Sequence, residues 1–139
     1  MMAQEHRLRI PAVLEEIETA CEFVSDIAHA AGMGAEAIHQ CYLSVEEICT
    51  NIIEHGYHFD GSQQVIDVVC ERFPNRLIIT IIDDAAPFNP LQYPSPDPAA
   101  PLAERVGGGW GIYFVKRYMN RVDYRYAQNR NHFTLEKHF

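Results

Sequence analysis

The chain has 139 residues, 47% of them hydrophobic and 22% charged, which is the make-up of a folded domain rather than a disordered tract, and its length is most simply one domain over 1–139. A net charge of −8 argues against a general nucleic-acid binder, whose affinity would come from clustered Lys and Arg. No apolar run approaches the roughly 18 residues of a membrane span, and the opening "MMAQEHRLRIP" lacks the apolar stretch of a signal peptide, so no membrane partner and a cytoplasmic location are expected.

In chain order, a short β-like start, "HRLRIPA", precedes a first helix over about 14–31. There Leu14, Ile17, Cys21, Val24 and Ile27 or Ala28 recur at helical spacing. "AGMG" ends it, and a second helix is predicted from about Ala35 to His58, closing in the turn-prone "FDGS". "QQVIDVVCER" and "RLIITIIDD" read as a hairpin joined by "FPN". The next stretch, "AAPFNPLQYPSPDPAAPLAERVGGG", has no period, holds six of the eight prolines and ends in three glycines. A connection of that length inside a compact domain suggests a functional lid, over about 85–111. "WGIYFVKRYMN" reads as a third helix, and "RVDYRYAQ" and "NHFTLEKHF" as a closing hairpin joined by "NRN". Antiparallel strands with helices stacked on one face make an α+β two-layer sandwich. The four cysteines, Cys21, Cys41, Cys49 and Cys70, form no C-x-x-C pair and read as small buried hydrophobes.

The second helix raises the functional question. At about 100° per residue, Glu47, Asn51, Glu54, His55 and His58 fall within one arc. Cys41, Val45, Ile48, Cys49, Ile52 and Ile53 occupy the opposite part of the wheel and are available for packing on the sheet. The polar arc could be a plain solvated face. Alternatively, Glu47 and Asn51, one turn apart, could address a hydrated hard cation, Mg²⁺ above all. A zinc site at Glu54, His55 and His58 lacks further ligands at recognisable spacing.

Two other features bear on that choice. Gly107, Gly109 and Gly111 lie in "GGGWGI", which opens into a helix, so backbone N–H groups could approach an anion there. The run neither follows a strand nor contains the Lys-Ser/Thr pair of a P-loop, which disfavours both of those nucleotide folds. In "IIDDAAPFNP", Asp83 ends an apolar strand, and a buried carboxylate there needs donors, for which the exocyclic amine of adenine is suited. The plainer alternative is that Asp83 or Asp84 caps a turn before Pro87.

"SVEEICTNIIEHGY", "IIDDAAPFNP", "GGGWGIYFVKRYMNRVDY" and "NHFTLEKHF" together resemble, in order and spacing, the anti-sigma-factor serine kinases of the GHKL ATPase superfamily, to which gyrase and the histidine kinases also belong. The resemblance runs from about Leu14 onward. It implies the Bergerat, or histidine kinase-like ATPase, fold, with ATP and Mg²⁺ as cofactors. The family motif E-x-x-x-N-x-x-x-H falls on Glu47, Asn51 and His55, which implies a general base at Glu47, a Mg²⁺ ligand at Asn51 and a nucleotide contact at His55. The motif D-x-G-x-P-F-D-P falls on Asp83, Ala85, Pro87, Phe88, Asn89 and Pro90, with Asp83 implied to accept from the adenine amine and Ala85 and Phe88 to line the site. Gly107, Gly109 and Gly111 would be the glycine-rich end of the ATP lid, and Thr134 is implied to lie near the adenine pocket.

Two positions depart from the family pattern, Ala85 where a glycine is usual and Asn89 where an aspartate is usual. If that glycine serves a positive φ or close backbone approach, Ala85 costs about 1 kcal/mol of strain or some contact. The resemblance further implies an anti-anti-sigma (STAS) protein as substrate, a sigma factor as second partner and a homodimer. Two competing readings are a partner-sequestering module without kinase activity and a detached ATPase domain of a phosphorelay. Against the latter, no histidine-bearing dimerisation helix precedes the domain.

Overall fold

In the computed structural model, residues 4–92 and 110–139 are described. The chain begins with strand β1 (Gln4–Pro11) and a short 3₁₀ turn (Leu14–Glu16), followed by helices α1 (Ile17–Ala30) and α2 (Ala35–Asn51). Strands β2 (Val65–Phe73) and β3 (Arg76–Asp83) come next, then a 3₁₀ turn (Pro90–Gln92), helix α3 (Trp110–Tyr118) and strands β4 (Arg121–Ala127) and β5 (Arg130–His138). The five strands form one antiparallel sheet in the order β1-β2-β3-β5-β4. The α+β two-layer sandwich expected from the sequence is what forms.

The layers follow from the two periodicities of the sequence. Alternate residues of the central strands, Ile66, Val68 and Cys70 on β2, Leu77, Ile79 and Ile81 on β3, and Phe133 and Leu135 on β5, point to one side of the sheet and are buried. Ala20, Cys21, Val24 and Ala28 of α1, Cys41, Val45, Ile48 and Cys49 of α2, and Ile112, Val115 and Met119 of α3 close over them. All four cysteines lie in this core as free thiols, and burial pushes Cys21 and Cys70 up to about 12, so they are inert packing groups.

Local chemistry sets the element ends. Gly32, at φ +88, takes the left-handed conformation after α1, and the Met33 N–H closes back on the Ala28 carbonyl at 3.1 Å. In the closing hairpin, Gln128 and Asn129 both have positive φ, at 58 and 61, the pattern of a two-residue hairpin turn that matches strand twist.

The second helix departs from the sequence expectation. Regular α-helix ends at Asn51 rather than His58, and a π-turn follows over Ile52–Gly56. The Tyr57 N–H reaches back five residues to the Ile52 carbonyl at 2.8 Å. His58 and Phe59, at φ 51 and 63, then turn the chain away. Ile52 and Ile53 both stay buried through the widened turn.

Candidate functional site

Glu47 and Asn51 form one unit on α2. The Asn51 Nδ2 donates to the Glu47 main-chain carbonyl and to its Oε1, each at 2.8 Å. With the amide nitrogen engaged there, Asn51 Oδ1 is left on the other side of the amide, and a neutral oxygen beside a carboxylate is a donor set that fits Mg²⁺. Glu47 is half-buried, and that burial raises its pKa; the Asn51 hydrogen bond acts in the opposite direction. A carboxylate moved upward toward neutrality is better matched to accept a proton.

Gly111, in the first turn of α3, lies directly over that carboxylate. A Cβ on residue 111 would stand 1.9–2.3 Å from the Glu47 carboxyl atoms. With glycine here the Glu47 carboxylate can stand in the space a side chain would take, and any larger residue would displace it. Gly107 and Gly109 lie outside the described residues, as does most of the expected lid.

The π-turn brings the helix end onto the loop after β3. Gly56 meets Ala85, where a Cβ on Gly56 would stand 3.2 Å from the Ala85 methyl. The His55 and Phe88 rings lie 5.8 Å apart, tilted by 33°. Ala85 is buried and is not among the positive-φ residues, so the strain considered from sequence does not arise. The methyl that replaces hydrogen at position 85 is received by a glycine opposite. Asn89 is likewise explained: its Oδ1 accepts the Leu91 N–H at 3.0 Å and caps the short turn, a task needing an acceptor and no charge.

Asp83 and Asp84 separate cleanly. Asp83 is 1% exposed, and its Oδ1 accepts from the Ala85 N–H and from Asn131 Nδ2, both at 2.9 Å. Burial raises its pKa against those two hydrogen bonds. Asp84 is exposed and pairs with Arg130 at 2.7 Å; the same guanidinium reaches Asp67 at 2.9 Å, and Asp67 also holds Arg9 at 2.7 Å. The Asp84 main-chain N–H donates to the Tyr57 hydroxyl at 2.8 Å, which in turn donates to the Val65 carbonyl at 3.0 Å.

Asn131 is the residue that sequence reading missed. It is 1% exposed and lies opposite Asp83 in the β3–β5 register. Its Nδ2 serves Asp83 Oδ1 and the carbonyls of Ala85 and Ala86, at 2.9, 3.0 and 3.1 Å. Its Oδ1 accepts from the Tyr124 hydroxyl at 2.5 Å and the Phe88 N–H at 3.2 Å. One amide therefore fixes the Asp83 carboxylate and the turn that follows it.

Thr134 is corrected. It pairs with Thr80, three residues from Asp83, an odd separation that puts both threonines on the sheet face away from the helices. There it borders a cavity of about 480 Å³ with Thr80, His132 and Arg125. Asn131, three residues earlier, holds the place beside Asp83. His58 leaves the arc expected of it, turning out of the helix at φ 51, while Glu54 stays on the helical turn, 3.8 Å from His55; no metal-binding cluster of His, Cys, Asp or Glu occurs among the described residues. Among those residues, no helix is long and apolar enough to cross a membrane.

A family model of the histidine kinase-like ATPase domain matches residues 10–137, nearly the whole chain, and the chain belongs to this family. Among curated proteins it is similar to serine-protein kinase RsbW of Bacillus thuringiensis (strain Al Hakam), 26% identical over 119 residues, covering 83% of this chain and 73% of the relative. It is also similar to serine/threonine-protein kinase BtrW of Bordetella bronchiseptica, 27% identical over 96 residues, covering 69% of this chain and 67% of the relative. In fold it resembles a crystal structure of the RsbU and RsbW domains of Rv1364c from Mycobacterium tuberculosis, with a TM-score of 0.67 at 15% identity. That match covers 97% of this chain and 32% of the other, so the chain spans about a third of that protein's length.

Proposed function

We propose that this chain is an ATP-dependent protein-serine kinase and anti-sigma regulatory factor, which phosphorylates an anti-anti-sigma (STAS) protein and sequesters a sigma factor by partner switching. The observation that carries the reading is the Glu47–Asn51 pair, with a half-buried carboxylate of raised pKa beneath a glycine at the start of α3. A solvated helix face would need neither the shared hydrogen bond nor the glycine. The names of the similar proteins support the same activity.

In this reading Asp83 accepts from the adenine amine, held in place by Asn131 and the Ala85 N–H. The His55 and Phe88 rings, which meet between the helix end and the loop after β3, would border the nucleotide. Asn51 Oδ1 would hold Mg²⁺, which supplies charge neutralisation on the phosphates. The serine oxygen bonds the terminal phosphorus of ATP, the bond from that phosphorus to the bridging oxygen breaks, ADP leaves, and the hydroxyl proton passes to Glu47. General-base assistance of this kind contributes about 10²- to 10⁴-fold.

The test is incubation with labelled ATP, Mg²⁺ and purified STAS-domain proteins from the same genome. Label transfer that is lost in Glu47→Ala supports the kinase. Nucleotide-dependent binding of a partner without transfer would replace it with the sequestering module.

A further inference from the structure

Glu47 belongs to two places at once. Besides the nucleotide side described above, it borders a cleft of about 170 Å³ between α2 and α3. On α2 the lining residues are Leu43, Glu46 and Glu47, spaced i, i+3 and i+4, which is one stripe of a helix surface. On α3 they are Phe114, Val115 and Tyr118, again i, i+1 and i+4, with Gly111 one turn before them. The two stripes face each other. Their residues give the cleft a carboxylate end, beneath Gly111, and an apolar end at Leu43 and Tyr118.

Phe114 is 42% exposed and stacks on Tyr118, with ring centroids 5.9 Å apart and planes at 21°. A stacked aromatic pair at a water-accessible cleft is a rigid apolar wall of the kind that seats a partner's side chain. Glu46 is exposed, and among the described residues it forms no ion pair. It stands beside a second carboxylate, Glu47, in a chain of net charge −8, so the local field favours a cation. Since water takes about 30 Å³ of liquid volume, the cleft has room for one sizeable side chain rather than a free cofactor.

We propose that the α2–α3 cleft docks the acceptor segment of the protein substrate: an aliphatic side chain seats against Leu43 and the Phe114–Tyr118 stack, and a Lys or Arg flanking the serine pairs with Glu46. Continuity is the reason for choosing this occupant. A segment that seats one side chain in the cleft has Glu47 at the cleft's end, so seating that residue delivers the neighbouring hydroxyl to the group that takes its proton. Substrate selection and catalysis then share one helix face, and the acceptor is recognised by a basic and an aliphatic residue near its serine. This rests on the kinase reading above.

The experiment uses the whole chain and a STAS-domain protein that the wild type labels. Glu46→Lys and Leu43→Glu are measured for KM of the protein substrate, for kcat and for nucleotide affinity. The expected result is a rise in KM of about tenfold or more, with kcat changed less than about threefold and nucleotide affinity unchanged. Replacing the substrate's flanking Lys or Arg by Glu should weaken it for the wild type and restore it for Glu46→Lys, a reversal that a structural role of Glu46 would not produce. Should Leu43→Glu fail to fold, the exposed Glu46 and its charge reversal carry the test alone. Transfer with KM unchanged in Glu46→Lys, or no reversal, overturns the docking site while leaving the kinase reading intact. No transfer by the wild type to any STAS protein of the genome overturns both.

Discussion

Replacing Asn131 by Ala tests the support of Asp83 most directly. The substitution removes one of the two donors to Asp83 Oδ1, the donor to the Ala85 carbonyl, and the acceptor of the Tyr124 hydroxyl. Asp83 keeps the Ala85 N–H, and the Phe88 N–H keeps the Tyr124 hydroxyl at 3.2 Å, so neither loses its last partner. The Ala86 carbonyl belongs to an exposed residue and can turn to water. About two buried groups are left poorly satisfied, and at about 1–3 kcal/mol each, offset in part by water entering the gap, the loss is about 3 kcal/mol. For a chain of this size that lowers Tm by about 10 °C. The loss should also depend on pH. The Asp83 pKa is raised by burial, and the Asn131 hydrogen bond is the first of the influences that lower it. Without that bond the folded-state pKa rises further. A raised folded-state pKa means the folded state binds the proton more tightly than the unfolded one, so stability is greatest below the ordinary Asp value and is lost as pH rises through the folded value. The variant should therefore suffer more well above the ordinary Asp range than below it, read by urea unfolding at about pH 8 and about pH 3.5. A loss below about 1 kcal/mol, or a pH dependence identical to that of the wild type, would refute the assignment of Asn131 as the group that holds Asp83.

Three further outcomes follow from the site. Glu47→Gln should keep ATP affinity within about threefold by calorimetry while phosphotransfer falls by about 10²-fold or more in a single-turnover assay. Gly111→Ala places a methyl where the Glu47 carboxylate stands, so transfer should fall comparably; stability should hold or rise by up to about 1 kcal/mol, since Ala is the better helix former, and a variant of full activity would contradict the contact. Gly56→Ala should destabilise through its contact with the Ala85 methyl, and adding Ala85→Gly should recover at least about 0.5 kcal/mol of that loss in a double-mutant cycle.

The layers were legible because burial imposes periods on the sequence, two on the strands and 3.6 on the helices. Glu47 and Asn51 could be paired for the same reason, since both lie within regular helix. The period stops informing where the backbone changes type. Nothing in "NIIEHGY" announces a π-turn, so the wheel was carried too far and His58 was given a position it does not hold. Asn131 was missed because its importance comes from register: it stands opposite Asp83, 48 positions away, and period-two alternation gives the face of a residue only once one cross-strand pair is known. Thr134 shows the converse, since a slip of three residues along a strand changes its face. Ala85 and Asn89 read as departures in isolation and became intelligible through what they touch, Gly56 in one case and the Leu91 N–H in the other.

The Tyr57 hydroxyl, between the Asp84 N–H and the Val65 carbonyl, fastens the exit of the central helix to the strand pair behind it. A tether at that point links the two mechanically: a shift of the helix exit pulls on Asp84, the residue adjoining the buried Asp83.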